Sequence, residues 1–469
     1  MLRLNGSLDE PLLTDVAVGT GNAVFVKGRC TPPSGRRVER LTLALGGEEH
    51  ALMAYGISDR RVGGAGDMWW GVVPLPPVTE PVEMSLTLKA ELESGGVAEV
   101  RLATWRLVPT LEIQPVAPPP EALTSSSRLI AVCMATFDPP LELFQRQIES
   151  IRAQTHHNWV CVISDDNSRP ERLAAIREVL GGDERFVLVP SEVRRGFYGN
   201  FERALALSPP EAGYLALSDQ DDRWHPDKLE VLLGELEGGA LLAYSDTRVV
   251  DESGRVLSDT YWRYRANNYT DFTSLVITNA ITGAASLFRR ELVERSLPFP
   301  PPHGDIFHDH WLALVALATG EIRYVDRPLY DYVQHSAAAL GFSKANAGRG
   351  RWGGWLADVT LRMLRLASRV VRPAGQARYF ENYCRLVLEA RALEQRLGDA
   401  LSPADRGALR RIQECNGSVG GAAWFAWRTL RPLFGRNETM GMERGLLAGL
   451  LWRLLAGLRA QVARVRSSA

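Results

Sequence analysis

The sequence predicts an α/β protein, with an antiparallel β-sandwich before the α/β region and a helical, basic region after it. Apolar residues recur at every second position near the start, short apolar runs alternate with amphipathic stretches in the middle, and neither pattern continues beyond Asn346. A chain of 469 residues with 45% hydrophobic residues is long enough for two or three cores. We expect domains at residues 1–108, 128–345 and 346–469, with residues 109–127 as a linker.

The first region has the pattern of half-buried strands. Apolar side chains alternate along Leu41–Leu45 and again along Met84–Leu92, and Gly46–Gly47 fits a hairpin turn. These features predict a small antiparallel sandwich. Trp69–Trp70 fits either a sugar-stacking platform or the core of this sandwich. The core is favoured, because aromatic side chains in strands usually pack inside.

Apolar runs in the middle region predict the parallel strands of a helix-covered sheet, at 129–135, 159–164, 186–189 and 214–218. Ligands bind such sheets beyond the carboxyl ends of the strands. Thr136 and Asp138 follow the first strand, and Asp166 follows the second. A carboxylate there can accept hydrogen bonds from a ribose or a base, but aspartate is also an ordinary turn former and helix cap.

The fourth strand runs directly into a cluster of carboxylates, Asp219, Asp221 and Asp222. Like charges this close repel one another unless a cation compensates, and oxygen ligands suit Mg²⁺ or Mn²⁺. The sequence therefore indicates a divalent metal site. The alternative is a solvated acidic loop that caps a helix beginning near Pro226.

Seven segments of the middle region occur in an order that is highly specific when taken together. The set resembles family 2 glycosyltransferases with the GT-A fold, and especially their bacterial rhamnosyltransferase-like branch. The resemblance covers roughly residues 128–341. The segments that carry it are Ala135–Asp138, Ser164–Ser168, Gly196 with Asn200–Phe201, Leu217–Trp224, Thr282–Gly283, His308–Trp311 and Tyr330–His335.

The resemblance implies an inverting transfer of a sugar, rhamnose among the candidates, from a nucleotide-diphosphate donor to an acceptor hydroxyl. It assigns Asp309 as the general base, since an alcohol that attacks an anomeric carbon must lose a proton. A carboxylate favoured by the helix dipole is the structural alternative for Asp309. The resemblance assigns donor binding to four residues, Thr136, Asp138, Asp166 and Asp219. It assigns the binding of Mg²⁺ or Mn²⁺ to Asp221 and His335.

The sequence departs from the family pattern at two positions. Val193–Gly196 stands where relatives often carry asparagines before the glycine, and Asp331 stands where an arginine often follows the tyrosine. Two other classes remain open: a nucleotidyltransferase on a related sheet and a non-enzymatic carbohydrate-binding protein. Thr136–Pro140 has no glycine and no basic residue, unlike the triphosphate-binding loop of nucleotidyltransferases.

Charge is distributed unevenly along the chain. From Asn346 onward there are 21 arginines, no lysine and nine acidic residues, a net charge of +12, whereas the preceding part carries −13. Such a basic tail suits a membrane surface or nucleic acid. A lipid-linked or glycan acceptor favours the membrane, so we expect no nucleic-acid partner. Arg362, Arg365, Arg369 and Arg372 recur at helical spacing, and Gly445–Leu458 suits the headgroup region.

The N-terminus lacks the pattern of a signal peptide, and no uninterrupted apolar stretch is long enough to span a bilayer. The five cysteines are scattered without metal-ligand spacing and are expected to be reduced core thiols. We therefore expect a cytoplasmic enzyme, peripheral on the inner face of the membrane, that acts in cell-surface polysaccharide synthesis.

Overall fold

A computed structural model of the protein describes residues 2–11, 13–32, 36–57, 67–93, 95–117, 128–335 and 373–466. The predicted arginine-rich helix at 362–372 and most of the predicted linker lie outside these residues. All five cysteines are described, and each is buried and free, in agreement with the expected reduced thiols.

The N-terminal region is a sandwich of two sheets, as predicted. One sheet has the order β1-β10-β9-β5-β6 with β3 beside β10, and the other has the order β2-β4-β8-β7. Trp69 and Trp70 are both fully buried on β8, which makes them core residues. The strands are β1 (Leu2–Arg3), β2 (Asn5–Glu10), β3 (Asp15–Ala17), β4 (Asn22–Thr31), β5 (Val38–Leu45), β6 (Glu48–Ala51), β7 (Ala54–Ile57), β8 (Met68–Leu75), β9 (Val82–Leu92) and β10 (Val97–Val108).

The central region contains a mixed sheet with helices around it. The four predicted strands are β11 to β14, and they pair in parallel in the order β13-β12-β11-β14. The strands are β11 (Ile130–Thr136), β12 (Trp159–Asp165), β13 (Phe186–Pro190), β14 (Tyr214–Ser218), β15 (Arg223–Trp224), β16 (Leu242–Asp251), β17 (Val256–Ser258), β18 (Ser286–Arg289) and β19 (Ile322–Gln334).

Strands β16, β18 and β19 extend the sheet beyond the predicted ones. β18 runs antiparallel to both β14 and β16, and β19 pairs in parallel with β16 and antiparallel with β15. The helices are α1 (Leu141–Arg152), α2 (Pro170–Leu180), α3 (Gly196–Leu207), α4 (Lys228–Glu237), α5 (Phe272–Ile277), α6 (Arg290–Ser296) and α7 (His308–Thr319).

The described C-terminal residues are helical, as expected, and contact both other regions. Arg396 donates to the carbonyl of Gly21 in the sandwich region and to that of Ser296 in the central region. The Trp70 indole donates to the Tyr379 hydroxyl at 3.1 Å. The helices therefore hold the other two regions together. They are α8 (Pro373–Arg378), which continues through a π-helical turn (Tyr379–Tyr383) into α9 (Cys384–Leu397), then α10 (Pro403–Glu414), α11 (Val419–Arg428) and α12 (Met442–Arg466).

A buried polar cluster joins α9 to the helix that carries the predicted base. Arg385 donates to Glu389 at 2.9 Å and to Nδ1 of His310 at 3.0 Å, while Nε2 of His310 lies 2.7 Å from the Leu275 carbonyl. Arg385, Glu389 and His310 are all buried. Burial makes each charge depend on its partner.

We expect Glu389→Gln to lower the free energy of unfolding by about 3–5 kcal/mol, because the Arg385 guanidinium would stay buried without a countercharge. Urea unfolding of the full chain measures this loss. Glu394→Gln is the matched control, since Glu394 pairs with Arg391 near the surface, and its expected effect is below about 1 kcal/mol. Equal losses in the two variants would show that the Arg385–Glu389 pair has no special role in stability.

One helix in the described part of the chain differs from the expectation about membrane spans. Within α12, an 18-residue window of Met442–Val462 has a mean hydropathy of 1.2, which by length and composition alone is enough to cross a membrane, and 28% of that window is buried. The expectation from the sequence considered only uninterrupted apolar stretches, and arginines interrupt the apolar stretch in this helix. Leu446, Leu447 and Leu450 pack into the protein core.

Candidate active site

The carboxyl ends of β11 and β14 are tied together by one glutamine. Gln220, in the acidic loop (residues 219–222) after β14, accepts from the backbone N–H of Phe137 at 2.8 Å and donates to its carbonyl at 3.3 Å. Since β12 and β14 both flank β11, the segments that follow these three strands meet at one edge of the sheet. The predicted site residues on different strands therefore become neighbours.

Asp166 follows β12 and caps the helix that comes after the next strand. Its two carboxylate oxygens accept from the backbone N–H groups of Arg195 at 2.6 Å and Gly196 at 2.9 Å, where α3 begins. Its own N–H donates to the Thr136 carbonyl at 2.8 Å. The Thr136 hydroxyl in turn donates to Asp165 at 3.1 Å. Asp166 thus joins β11, β12 and α3, and it has the capping role that the sequence offered as its alternative.

Asp138 also caps a helix. It has a positive φ of 40°, and its carboxylate accepts from the backbone N–H of Arg169 at 3.1 Å and from the Arg169 guanidinium at 2.9 Å. Arg169 precedes α2. The contacts of Asp138 and Asp166 with a donor remain predictions.

An arginine that sequence reasoning did not select lies beside the first loop. The Arg194 guanidinium stacks over the Phe137 ring at 3.8 Å from its centroid. Arg194 belongs to the segment where the sequence departs from its relatives, so the departure itself was the available clue. A cation at this place favours an anionic ligand.

Asp221 contacts His335 across a long interval of sequence. The distance from Oδ2 of Asp221 to Nε2 of His335 is 2.8 Å, and their side chains are 20% and 4% exposed. The contact arises because β15 pairs with β19, so that Trp224 lies opposite Tyr330. The structure therefore brings together the two residues predicted to bind the metal.

The acidic loop has excess negative charge. Burial, together with the neighbouring Asp221 and Asp309, raises the pKa of Asp219 to about 7. Burial, together with Asp219 and Asp221, holds the pKa of Asp222 well above its usual value. One oxygen of Asp222 accepts from the Val333 N–H at 3.3 Å, while the other has no hydrogen-bond partner among the described residues.

A buried lysine lies beside these carboxylates, and burial holds its pKa well below the usual value. Lys228 acts electrostatically on both Asp219 and Asp222. Its ammonium group donates to the Ala284 carbonyl at 2.6 Å and lies 3.2 Å from the centroid of the Trp224 ring. Among the described residues, Lys228 alone does not balance the three carboxylates, which leaves room for a further cation.

Asp309 lies in the first turn of α7 and faces the acidic loop. Oδ1 accepts from the Asn279 amide at 3.0 Å and from the His310 N–H at 2.7 Å, and Oδ2 accepts from the Gly283 N–H at 3.0 Å. These donors fix the orientation of the carboxylate. A side chain at position 283 would crowd it, because a Cβ there would lie 3.0 Å from Nε2 of His308 and 3.3 Å from Cβ of Asp309.

His308, next to the predicted base, has a structural role. Its ring stacks on Phe201 at 3.8 Å, and burial lowers its pKa to about 4. It is therefore neutral at physiological pH.

The side chains at this site supply part of the ligand set of a divalent cation. Asp221 and His335 supply an oxygen and a nitrogen ligand of the kinds that Mn²⁺ and Mg²⁺ sites use, and the excess charge of the acidic loop favours a cation. In the described segments no three His, Cys, Asp or Glu side chains form a complete metal site. The remaining ligands would have to come from a phosphate-bearing donor and water.

We expect the affinity for Mn²⁺ to rise about tenfold between pH 6 and pH 8, because protonated Asp219 opposes binding and its pKa is raised to about 7. Calorimetric titration of the full chain with MnCl₂ measures this change. Asp219→Asn is the control and should bind more weakly with a flat profile. A flat profile in the natural protein would contradict a link between Asp219 and the metal.

Comparison with known proteins identifies the class of the central region. Residues 131–297 match the family model for glycosyl transferase family 2. The central region is therefore a family 2 glycosyltransferase domain, and the match together with the observed sheet confirms the predicted GT-A fold.

Several curated relatives are glycosyltransferases by name. The putative teichuronic acid biosynthesis glycosyltransferase TuaG of Bacillus subtilis is 24% identical over 34% of this chain and 63% of its own length. WfgD of Escherichia coli, a UDP-Glc:α-D-GlcNAc-diphosphoundecaprenol β-1,3-glucosyltransferase, is 25% identical over 27% of this chain and 49% of its own. The chain spans less than two thirds of the length of each of these relatives.

Solved structures also resemble the chain at low identity. Staphylococcus aureus TarS residues 1–349, in complex with UDP-GlcNAc, is 11% identical with a TM-score of 0.39, covering 69% of this chain and 90% of that one. The mannosyltransferase PcManGT of Pyrobaculum calidifontis, in complex with GDP-Man and Mn²⁺, is 17% identical with a TM-score of 0.35, covering 71% and 89%.

Proposed function

We propose that the protein is an inverting, metal-dependent glycosyltransferase that moves a sugar from a nucleotide-diphosphate donor to an acceptor hydroxyl. The observation that carries the proposal is the meeting of Asp309 with the acidic loop: Asp309 acts electrostatically on Asp219, and Asp221 lies 2.8 Å from His335. The residues that we propose as the base for the acceptor and as the cation ligands for the donor therefore lie at the same edge of the sheet.

In this mechanism Asp309 accepts the proton of the attacking hydroxyl. Three N–H donors hold its carboxylate, and Oδ2 retains a lone pair for the acceptor. As the acceptor oxygen bonds to the anomeric carbon, its proton moves to Asp309 and the bond from that carbon to the diphosphate oxygen breaks. A single displacement of this kind inverts the anomeric configuration.

Asp221 and His335 would hold the divalent cation, with Asp219 beside them on the ribose. When bound, Mg²⁺ or Mn²⁺ stabilises the negative charge on the departing nucleoside diphosphate. One oxygen of buried Asp222 has no hydrogen-bond partner in the part of the chain that the structure describes, and this supports a cation here, because such an atom is costly without a partner. We assign Thr136, Asp138 and Asp166 to the nucleoside end, where the first two strands finish.

The substrates follow from the resemblance and from the names of relatives. A rhamnosyl donor is the first candidate, and a glycan or lipid-linked glycan is the acceptor. TuaG is named for teichuronic acid synthesis and WfgD for a diphosphoundecaprenol-linked acceptor, which supports a role in cell-surface polysaccharide synthesis. Such an acceptor would place the enzyme in the cytoplasm, on the inner face of the membrane.

A panel of nucleotide sugars, rhamnosyl donors included, tests this proposal through metal-dependent release of nucleoside diphosphate. Glycosyl transfer predicts release with Mg²⁺ or Mn²⁺ and none with chelator. A nucleotidyltransferase would instead release pyrophosphate from a nucleoside triphosphate, and a carbohydrate-binding protein would release neither. Either of those results would overturn the assignment.

A further inference from the structure

An apolar tip stands on the surface of the C-terminal region. We define it as Trp427, Leu430, Leu433 and Phe434, at the end of α11 and in the 3-10 turn (Arg431–Phe434) that follows. Their exposed fractions are 62%, 48%, 58% and 80%. Large apolar side chains clustered on one exposed turn mark an interaction surface.

In the tip the apolar side chains are exposed and the arginines are buried, whereas a surface turn usually has the opposite arrangement. Arg428 and Arg431, which alternate with the apolar residues, are buried and point inward. Arg428 donates to the Ser274 hydroxyl at 3.1 Å, and Arg431 donates to the same hydroxyl at 2.9 Å and to Asp271 at 3.2 Å. The charged side chains therefore anchor the turn, and the apolar ones are held outward.

The anchor lies on the segment that supports the predicted base. Ser274 belongs to α5, and Asn279, which donates to Asp309 at 3.0 Å, follows that helix closely. Two further hydrogen bonds attach the chain after the tip to the same segment, from the Ala266 N–H to Asn437 and from the Thr278 hydroxyl to the Thr439 carbonyl. The tip is thus connected to the acceptor side of the candidate site.

Charge and sequence pattern favour a lipid surface as the occupant of the tip. Residues 419–466 contain eight arginines and two acidic residues; two of the arginines and both acidic residues are buried and offset one another, and the remaining net charge of +6 complements anionic lipid. Leu455, Leu458 and Val462 are 39%, 59% and 52% exposed and recur along one face of α12. A tryptophan and a phenylalanine beside aliphatic and basic residues suit the boundary between headgroups and acyl chains.

We propose that the apolar tip inserts into the surface of an anionic membrane and holds the acceptor side of the site toward that surface. The inference rests on the proposed function only in its choice of a lipid-linked acceptor. Membrane insertion itself depends on the tip and the surrounding positive charge.

The test is co-sedimentation of the full chain with phosphatidylcholine vesicles that do or do not contain phosphatidylglycerol. We expect binding to the anionic vesicles, and at least about a tenfold loss of that binding in the double variant Trp427→Ser, Phe434→Ser, because two large apolar side chains no longer leave water. Val97→Ser is the matched control, since Val97 is 54% exposed on the sandwich, and it should bind like the natural protein.

Other outcomes would overturn the proposal. Failure of the natural protein to bind anionic vesicles, or unchanged binding by the double variant, would show that the tip does not contact a membrane. A natural dimer that the double variant converts to a monomer, with no vesicle binding, would assign the tip to a second copy. Donor hydrolysis without vesicles is measured in parallel and should be the same in all variants, so failure of the transferase assignment stays distinguishable from failure of the membrane contact.

Discussion

Asp309→Asn is expected to lower kcat by a factor of about 10² or more while donor and metal binding persist. The amide keeps the size of the carboxylate, and its oxygen can still accept from Asn279 and His310, whereas the hydrogen bond from the Gly283 N–H is lost. It cannot take the proton of the acceptor hydroxyl, and losses of this size are typical when a general base is removed. Steady-state kinetics with saturating acceptor measures the loss, and calorimetry measures donor binding.

Asp305→Asn is the matched control for this variant, because Asp305 is an exposed aspartate just before α7. It should leave kcat unchanged. If Asp309→Asn instead lost donor binding and kept kcat at saturation, Asp309 would belong to the donor site. A variant that lowers kcat and KM together would indicate a change in ground-state binding of the acceptor.

Asp221→Ala is expected to abolish turnover at every concentration of Mg²⁺ or Mn²⁺. The change removes one of the two side chains assigned to the cation and leaves His335 without its partner at 2.8 Å. The cation's contribution to the departure of the diphosphate would be lost with it. Activity assays across a metal series, with calorimetric Mn²⁺ titration, check the result.

Asp326→Ala is the control for this second variant, since Asp326 is an exposed aspartate on β19. It should keep full activity and an unchanged metal dependence. Full turnover by Asp221→Ala in the presence of chelator would exclude a metal role for Asp221.

The strands of the central sheet were predictable where their residues are continuously apolar. β11, β12 and β14 are short and buried, and β13 is a short, half-buried strand at the sheet edge, so the alternation of apolar runs with amphipathic stretches locates all four. β16 and β19 mix charged with apolar residues, as at Arg248 and Asp331, which pair with each other at 2.7 Å. This pair forms across two strands, and single-sequence periodicity contains no information about such a partner.

The candidate site was predictable in its residue types and not in its contacts. The three carboxylates after β14 are adjacent in sequence, so their clustering was visible. The approach of His335 to Asp221 depends on the pairing of β15 with β19, and the support of Asp309 by Asn279 and Gly283 depends on a distant turn. No local pattern in the sequence indicates either of these contacts.

The capping roles of Asp138 and Asp166 show that the position of an aspartate after a strand does not by itself decide the role of its carboxylate. Each side chain accepts two N–H or guanidinium hydrogen bonds from the protein itself. Both assignments, helix cap and ligand contact, are compatible with an aspartate at a strand end. Donor titration of Asp138→Ala and Asp166→Ala would separate them.

The C-terminal helices are more closely integrated than the basic composition of the tail indicated. Arg385, Arg396, Arg428 and Arg431 are buried and bond to other regions of the protein. A count of arginines therefore overstates the positive charge that faces solvent, because part of it is used in the interior.

³¹P NMR of the full chain with a donor found in the panel, an acceptor and MgCl₂ tests metal-dependent transfer from a nucleotide sugar. We expect the donor diphosphate signals to be replaced by those of a nucleoside diphosphate, and chelator to prevent the change. Donor signals that persist with metal, together with pyrophosphate release from a nucleoside triphosphate and a sugar phosphate, would contradict this expectation.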